Sequence, residues 1–157
     1  MELVFLRMGE THMDFIKEGE VLFKKRLSHY TSKITIIDIP VIKGKKIDPQ
    51  QLKKLEGEQI LSRIKSGDFL ILLDEKGKNY DSKKFADTMQ SWMNRGPKRL
   101  VFVVGGAFGF SEEVYQKCDA KLSLSSMTFS HQLIRLIFLE QIYRAFTILR
   151  GEPYHNM

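Results

Sequence analysis

A single cysteine, Cys118, stands among the 157 residues, which excludes an intramolecular disulfide and any cluster of thiolates around a metal. A lone thiol suits a reducing cytoplasm, and no catalytic role is assigned to it. Long hydrophobic runs are also missing: no segment reaches the ~18 uninterrupted apolar residues of a membrane span. The first seven residues are only briefly apolar and lack the charged start and long apolar core of a secretory leader. The expectation is a cytoplasmic protein with no membrane partner. Repeats, low-complexity stretches and a convincing linker are absent too. Residues 1–157 are therefore expected to form one domain, a size within the roughly 100–200 residues common for domains.

Acidic residues are the scarcer charge, 19 against 25 Lys and Arg, and the formal net charge is +6. Such a balance favours a polyanionic partner, RNA or DNA, because each phosphate neutralised by Lys or Arg releases condensed counterions. The basic residues are scattered, in Lys24-Lys25-Arg26, Lys53-Lys54, Lys83-Lys84, Lys98-Arg99 and the basic loop at 43–46. Each cluster alone also fits an ordinary solvated face. With 43% hydrophobic and 28% charged residues, composition argues against disorder or a fibrous fold.

What is present is an alternation of short β-rich runs with helical patterns, the mark of strands joined by crossover helices. Strands are expected at 3–7, 34–39, 69–73, 100–104 and, more weakly, 121–124. Several are nearly continuous apolar runs, as in strands covered on both faces. The fold class is thus α/β: a largely parallel sheet of five to six strands with helices on both faces. Phe15, Ile16, Leu22, Phe23, Leu27 and Tyr30 recur at helical spacing after the first strand. A second helix should begin after Asp48 with Pro49 in its first turn, and a third after Asp81 or Ser82.

From Leu133 to Leu149 the last helix leaves almost no polar face, so it must be buried on most sides. So short a chain offers little to bury it, and a subunit interface is inferred. Arg135 and Arg144 interrupt it nine residues apart, which places them on roughly opposite sides. Glu140, four residues before Arg144, could simply pair with it.

Two loops carry the chemistry. The strand at 100–104 runs into Gly105-Gly106-Ala107-Phe108-Gly109-Phe110, and ligands of open α/β sheets bind beyond the carboxyl ends of the strands. An ordinary glycine turn fits the same residues, and no Gly-Lys-Ser/Thr follows to make a P-loop. The second loop, Leu124-Ser125-Ser126-Met127-Thr128-Phe129, mixes hydroxyls with apolar side chains, as a small-molecule site does. It also fits a plain turn capped by Thr128 or Ser130, with His131 in the first turn of the helix. No Ser-His-Asp triad and no metal-ligand cluster accompanies these residues, and no metal is expected.

Taken in order, Leu73, Val-Gly-Gly-Ala-Phe-Gly-Phe at 104–110, Leu-Ser-Leu-Ser-Ser-Met-Thr-Phe-Ser-His-Gln at 122–132, Leu-Glu-Gln-Ile-Tyr-Arg-Ala at 139–145 and Arg-Gly-Glu-Pro-Tyr-His at 150–155 closely resemble the ribosomal RNA large subunit methyltransferase H family, RlmH. The likeness is dense in the last third and sparse before Leu73. It implies the SPOUT architecture, whose C-terminal segment threads through a loop as a trefoil knot, a topology that periodicity never reveals. It further implies a homodimer that methylates N3 of a pseudouridine in 23S rRNA, the position-1915 type, within the large subunit or ribosome, with S-adenosyl-L-methionine (SAM) as donor. By that resemblance Leu73, Gly105 and the six residues from Leu124 to Phe129 hold SAM. Tyr154 and His155, with His131, Arg135 and Arg144, become the catalytic and rRNA-facing residues.

N3 of pseudouridine carries a proton, so a base or a cation must act beside the donor's methyl group. His155 is the leading acceptor, because an imidazole pKa of about 6.5 suits neutral pH. A tail that merely packs and orders on RNA is the competing reading of the same residues. For the whole chain the rival is a non-enzymatic RNA-binding domain, which the basic charge would serve equally but which leaves the two loops unexplained. A dinucleotide-binding enzyme is disfavoured, because no acidic residue follows the glycine loop at the required strand.

Overall fold

The computed structural model describes residues 1–44 and 46–156. The apolar runs form five strands: β1 Glu2–Met8, β2 Lys33–Ile39, β3 Asp68–Asn79, β4 Arg99–Val104 and β5 Ala120–Ser123. All pair in parallel, in the order β2-β1-β4-β3-β5. The expected parallel α/β sheet is borne out, with five strands among the described residues. Between them lie α1 Asp14–Leu27, α2 Pro49–Leu61, α3 Ser82–Asn94 and α4 Glu112–Lys117, and α5 Leu133–Leu149 follows β5.

Side chains alternate across a strand, and both sheet faces here are apolar. Leu3, Phe5, Ile71, Phe102 and Val104 meet α3 and α5 on one face, whereas Val4, Leu6, Leu72, Val101 and Val103 meet Ile60 of α2 and Val114 of α4 on the other. At the centre of the first face, Phe138 of α5 packs against Phe5 and Phe102 with ring centroids 4.4 and 4.9 Å away. Trp92 of α3 closes the flank against Phe69 and Phe102.

Helix starts follow the cap residues. Pro49 opens α2, where its missing N–H costs nothing. Asp81 caps α3, its Oδ1 accepting from the Lys84 amide at 2.8 Å. Asp81→Ala is expected to cost about 1 kcal/mol, read as a lower urea midpoint with an unchanged slope.

Helix α5 differs in one respect from the sequence reading. It begins at Leu133, and His131 lies in the turn before it. Ser130 Oγ accepts from the Leu133 amide at 3.1 Å and its carbonyl accepts from the Ile134 amide at 3.1 Å, so Ser130 makes the cap bonds the sequence suggested while the regular helix starts two residues beyond His131. Gln132 is meanwhile tied to the β1–α1 loop, accepting from the His12 amide and donating to the Glu10 carbonyl. Phe138, Leu139, Ile142, Ala145 and Phe146 are buried within the chain, while Leu136, Ile137, Tyr143 and Ile148 remain half-buried and Leu133 exposed.

Strand β3 runs past its neighbours. It pairs with Leu122 at Leu73 and again at Lys78, with a register shift between. The intervening residues 74–77 bow outward. Gly77 is required there, because an added Cβ would lie 2.7 Å from the Leu122 nitrogen.

Candidate active site

The carboxyl ends of β3, β4 and β5 open into a cavity of about 340 Å³. Leu73, Val104 and Leu122 form its floor, and the two loops singled out in the sequence form its walls. A volume in this range suits a small organic ligand. Gly105 lies against Phe110, whose ring would stand 2.9 Å from an added Cβ, and Gly109 has φ +84°, a left-handed conformation that favours glycine. On the opposite wall, Ser123 Oγ donates to the Ser125 carbonyl at 2.9 Å, and Ser125 Oγ accepts from the Met127 amide at 3.0 Å. Ser123 and Ser125 thus shape the loop.

Leu73, Gly105, Leu124, Ser125, Met127, Thr128 and Phe129 all line this cavity. Ser126 is exposed and does not. His131 and Ile134 complete the wall at the start of α5. Asp74 and Tyr115 were not anticipated. Tyr115 donates to Asp74 Oδ2 at 2.5 Å across the rim, and burial followed by that carboxylate pushes the phenol pKa well up. No motif joins two residues 41 apart, so pairing of α4 with the β3 excursion was invisible in the sequence.

A second polar group gathers at the far end of α5. Arg144 donates to Glu140 Oε1 from Nε and Nη2, at 3.1 and 2.5 Å, as the four-residue spacing suggested. Tyr154 OH donates to the same oxygen at 3.0 Å, and its ring lies under the Arg144 guanidinium at 4.9 Å. Arg144 Nη1 is 3.0 Å from His155 Nδ1. The tail is pinned by Tyr30, which donates to Glu152 Oε2 at 2.5 Å; burial, then Glu152, raises the Tyr30 pKa to about 12.

Arg135 belongs to neither group. It is 2% exposed, and its guanidinium donates to the carbonyls of Met8, Gly9 and His131 and to Thr11 Oγ1. Burial, then nearby Arg7, lowers its pKa. Arg7 and Thr11 both bond Glu20, and Arg7 also bonds Asp38 at 2.8 Å. This network fixes the entry of α5 beside the cavity. The two arginines of α5 therefore do different work.

Ile134, on the cavity, and Arg144, in the tail cluster, are ten helical residues apart, a separation of about 15 Å along the axis. Within one chain His155, Tyr154 and Arg144 do not reach the cavity wall. Among the described residues no group of three or more His, Cys, Asp or Glu is placed to hold a metal, and no helix is long and apolar enough to cross a membrane.

The chain thus combines a parallel sheet, a glycine loop and a serine loop around one cavity, and a largely buried final helix. The family model described as "Predicted SPOUT methyltransferase" matches residues 1–155. The curated ribosomal RNA large subunit methyltransferase H of Christiangramia forsetii is 48% identical over 157 residues, 99% of each chain, and that of Parabacteroides distasonis 50% identical over the same span. The chain belongs to this ribosomal RNA large subunit methyltransferase H family. Among solved structures, the SpoU methyltransferase AviRb from Streptomyces viridochromogenes is 12% identical with a TM-score of 0.44, over 96% of this chain and 60% of that one.

Proposed function

We propose that this protein transfers the methyl group of SAM to N3 of a pseudouridine in 23S rRNA, acting as a cytoplasmic homodimer on the large subunit or the ribosome, with a C-terminal trefoil knot. The observation that carries the reading is the cavity at the strand ends, built by both loops in a chain whose relatives are named as rRNA methyltransferases. Its residues fit the donor. Leu73, Leu122, Leu124, Phe129 and Ile134 offer apolar walls to an adenine, and the Asp74 and Glu75 carboxylates at the rim suit a donor that carries a sulfonium and an ammonium. When bound, SAM supplies an electrophilic methyl group, and no metal is needed for its transfer.

The protein's part is to orient the base and remove a proton. The bound donor would supply the methyl group for a new N3–CH3 bond as its methyl–sulfur bond is given up with the bonding pair left on sulfur, and His155 would take the N3 proton. An arginine only donates, so the Arg144–His155 contact makes Nδ1 the acceptor and leaves the ring proton on Nε2. For His155 to take a proton at Nδ1, Arg144 must turn to substrate, where it would hold a uracil oxygen or a phosphate. The separation along α5 supports a site completed across the dimer, with the tail of one subunit meeting the cavity of the other. The half-buried apolar face of α5 is the surface through which such a dimer would form.

Calorimetric titration should show one SAM per chain, and rRNA from cells lacking the protein should lose one methyl group from one pseudouridine by mass spectrometry. Absence of SAM binding, or rRNA of unchanged mass, would refute the reading. Tyr115→Phe is expected to lower the thermal midpoint by about 2–4 °C, the worth of one net hydrogen bond in a domain of this size, and to weaken SAM binding in calorimetry because the rim loses the tie to Asp74.

A further inference from the structure

Helix α2 lies on the sheet face opposite α5 and takes no part in the cavity lining, yet it buries a carboxylic acid. Glu56 is 6% exposed, which is unusual for this residue type unless it is paired. Among the described residues no Lys, Arg or His forms a salt bridge with it. What it faces is the glycine loop. A Cβ added to Gly106 would run into Glu56 Oε2 and lie 2.8 Å from Oε1 and 2.9 Å from Cδ. The next helical residue repeats the arrangement in reverse: a Cβ on Gly57 would collide with the Ser111 hydroxyl and lie 3.3 Å from Val114. The loop at 105–111 is thus seated on α2 at both ends, once through a loop glycine against a helix carboxyl and once through a helix glycine against a loop serine.

The part between the two seats is the tight turn in which the Gly109 amide donates to the Gly106 carbonyl at 3.1 Å, and its inner side is the cavity wall. An apolar side chain would fill the space under Gly106 without the cost of burying a carboxyl. We propose that Glu56 is a positioning residue of the donor site, holding the Gly106 turn in the conformation that shapes the cavity. It touches neither donor nor substrate and acts through Gly106. Burial raises its pKa, and glutamine keeps its shape and length without the charge.

The proposal rests on the reading of the cavity as a SAM site, and the experiment separates the two. SAM affinity is measured by calorimetry, with KM and kcat on the natural rRNA substrate and the thermal midpoint alongside, for the full-length protein and four variants. If the unaltered protein does not bind SAM, the reading of the cavity fails and this proposal with it. If it does bind, Glu56→Ala should weaken SAM about tenfold and raise its KM while kcat changes less than threefold, and Glu56→Gln should stay within threefold on all counts. Gly106→Ala should lose affinity by collision with Glu56. The double variant Glu56→Ala with Gly106→Ala should bind more tightly than Gly106→Ala alone. Glu56→Ala with SAM affinity intact, or a double variant whose losses simply add, overturns the proposal. The glutamine variant and the double variant also answer the case in which Glu56→Ala fails to fold.

Discussion

Glu20→Ala is expected to destabilise the protein by about 3 kcal/mol, the low end of the range for breaking a buried ion pair. Glu20 is only 9% exposed and accepts from both Arg7 and Thr11. Arg7 is 2% exposed, and Arg135, equally buried, contacts the same Thr11 hydroxyl. Removing the carboxylate leaves two guanidinium groups close together in a dry place with less negative charge between them. Asp38 still bonds Arg7, which holds the loss below the 5 kcal/mol or so of a fully orphaned charge. In a domain of this size that corresponds to a fall of about 6–12 °C in the thermal midpoint. Glu20→Gln keeps an acceptor oxygen and should lose roughly half as much. A midpoint within a degree or two of the unaltered protein would show that the network contributes little. Because Arg135 bonds the His131 carbonyl, SAM affinity should fall along with stability.

The second large effect concerns how the two ends of α5 meet. Arg144→Ala removes the group that holds Glu140, Tyr154 and His155 together, and Gly105→Val drives a side chain into the Phe110 ring beside the cavity. Each alone should reduce methylation at least 100-fold, as loss of a base's partner or of the donor pocket does. The Arg144 variant should still bind SAM; the Gly105 variant should not. Mixed one to one with subunit exchange, half the dimers pair an intact cavity with an intact tail at one of two sites, so roughly a quarter of full activity should return. Mixtures that stay as inactive as their components would mean that each chain uses its own tail.

The sheet and its helices were legible because their signals are local. Continuous apolar runs identified buried parallel strands, and Pro49 and Asp81 marked helix starts where the structure has them. The cavity loops were legible for a related reason: strand ends followed by glycine or serine-rich turns are where such sheets take ligands. The surroundings of Arg135 were not legible, because an arginine in an apolar helix looks the same in sequence whether it faces a phosphate or bonds carbonyls 126 and 127 residues away, as it does here. Glu56 was hidden because a glutamate in an amphipathic helix is normally solvated. Only the adjoining Gly57, an unfavourable residue inside a helix, hinted that something approached closely. Asp74 with Tyr115, and Glu140 with Tyr154, are pairs made by chain crossing rather than by spacing.

Phe138, wedged between Phe5 and Phe102, has a consequence for how the chain is made. The part of the first face around Phe5 and Phe102 is covered by α5, which follows all five strands, and β1 is held at its carboxyl end by Arg135. A nascent chain that has displayed all five strands and α3 still lacks the helix that covers Phe5 and the centre of the face, so during translation this region stays open until residues beyond 133 clear the exit tunnel. Such long-range closure makes folding slow and the unfinished chain sticky. Stop codons before α5 should therefore yield aggregates rather than shortened enzymes.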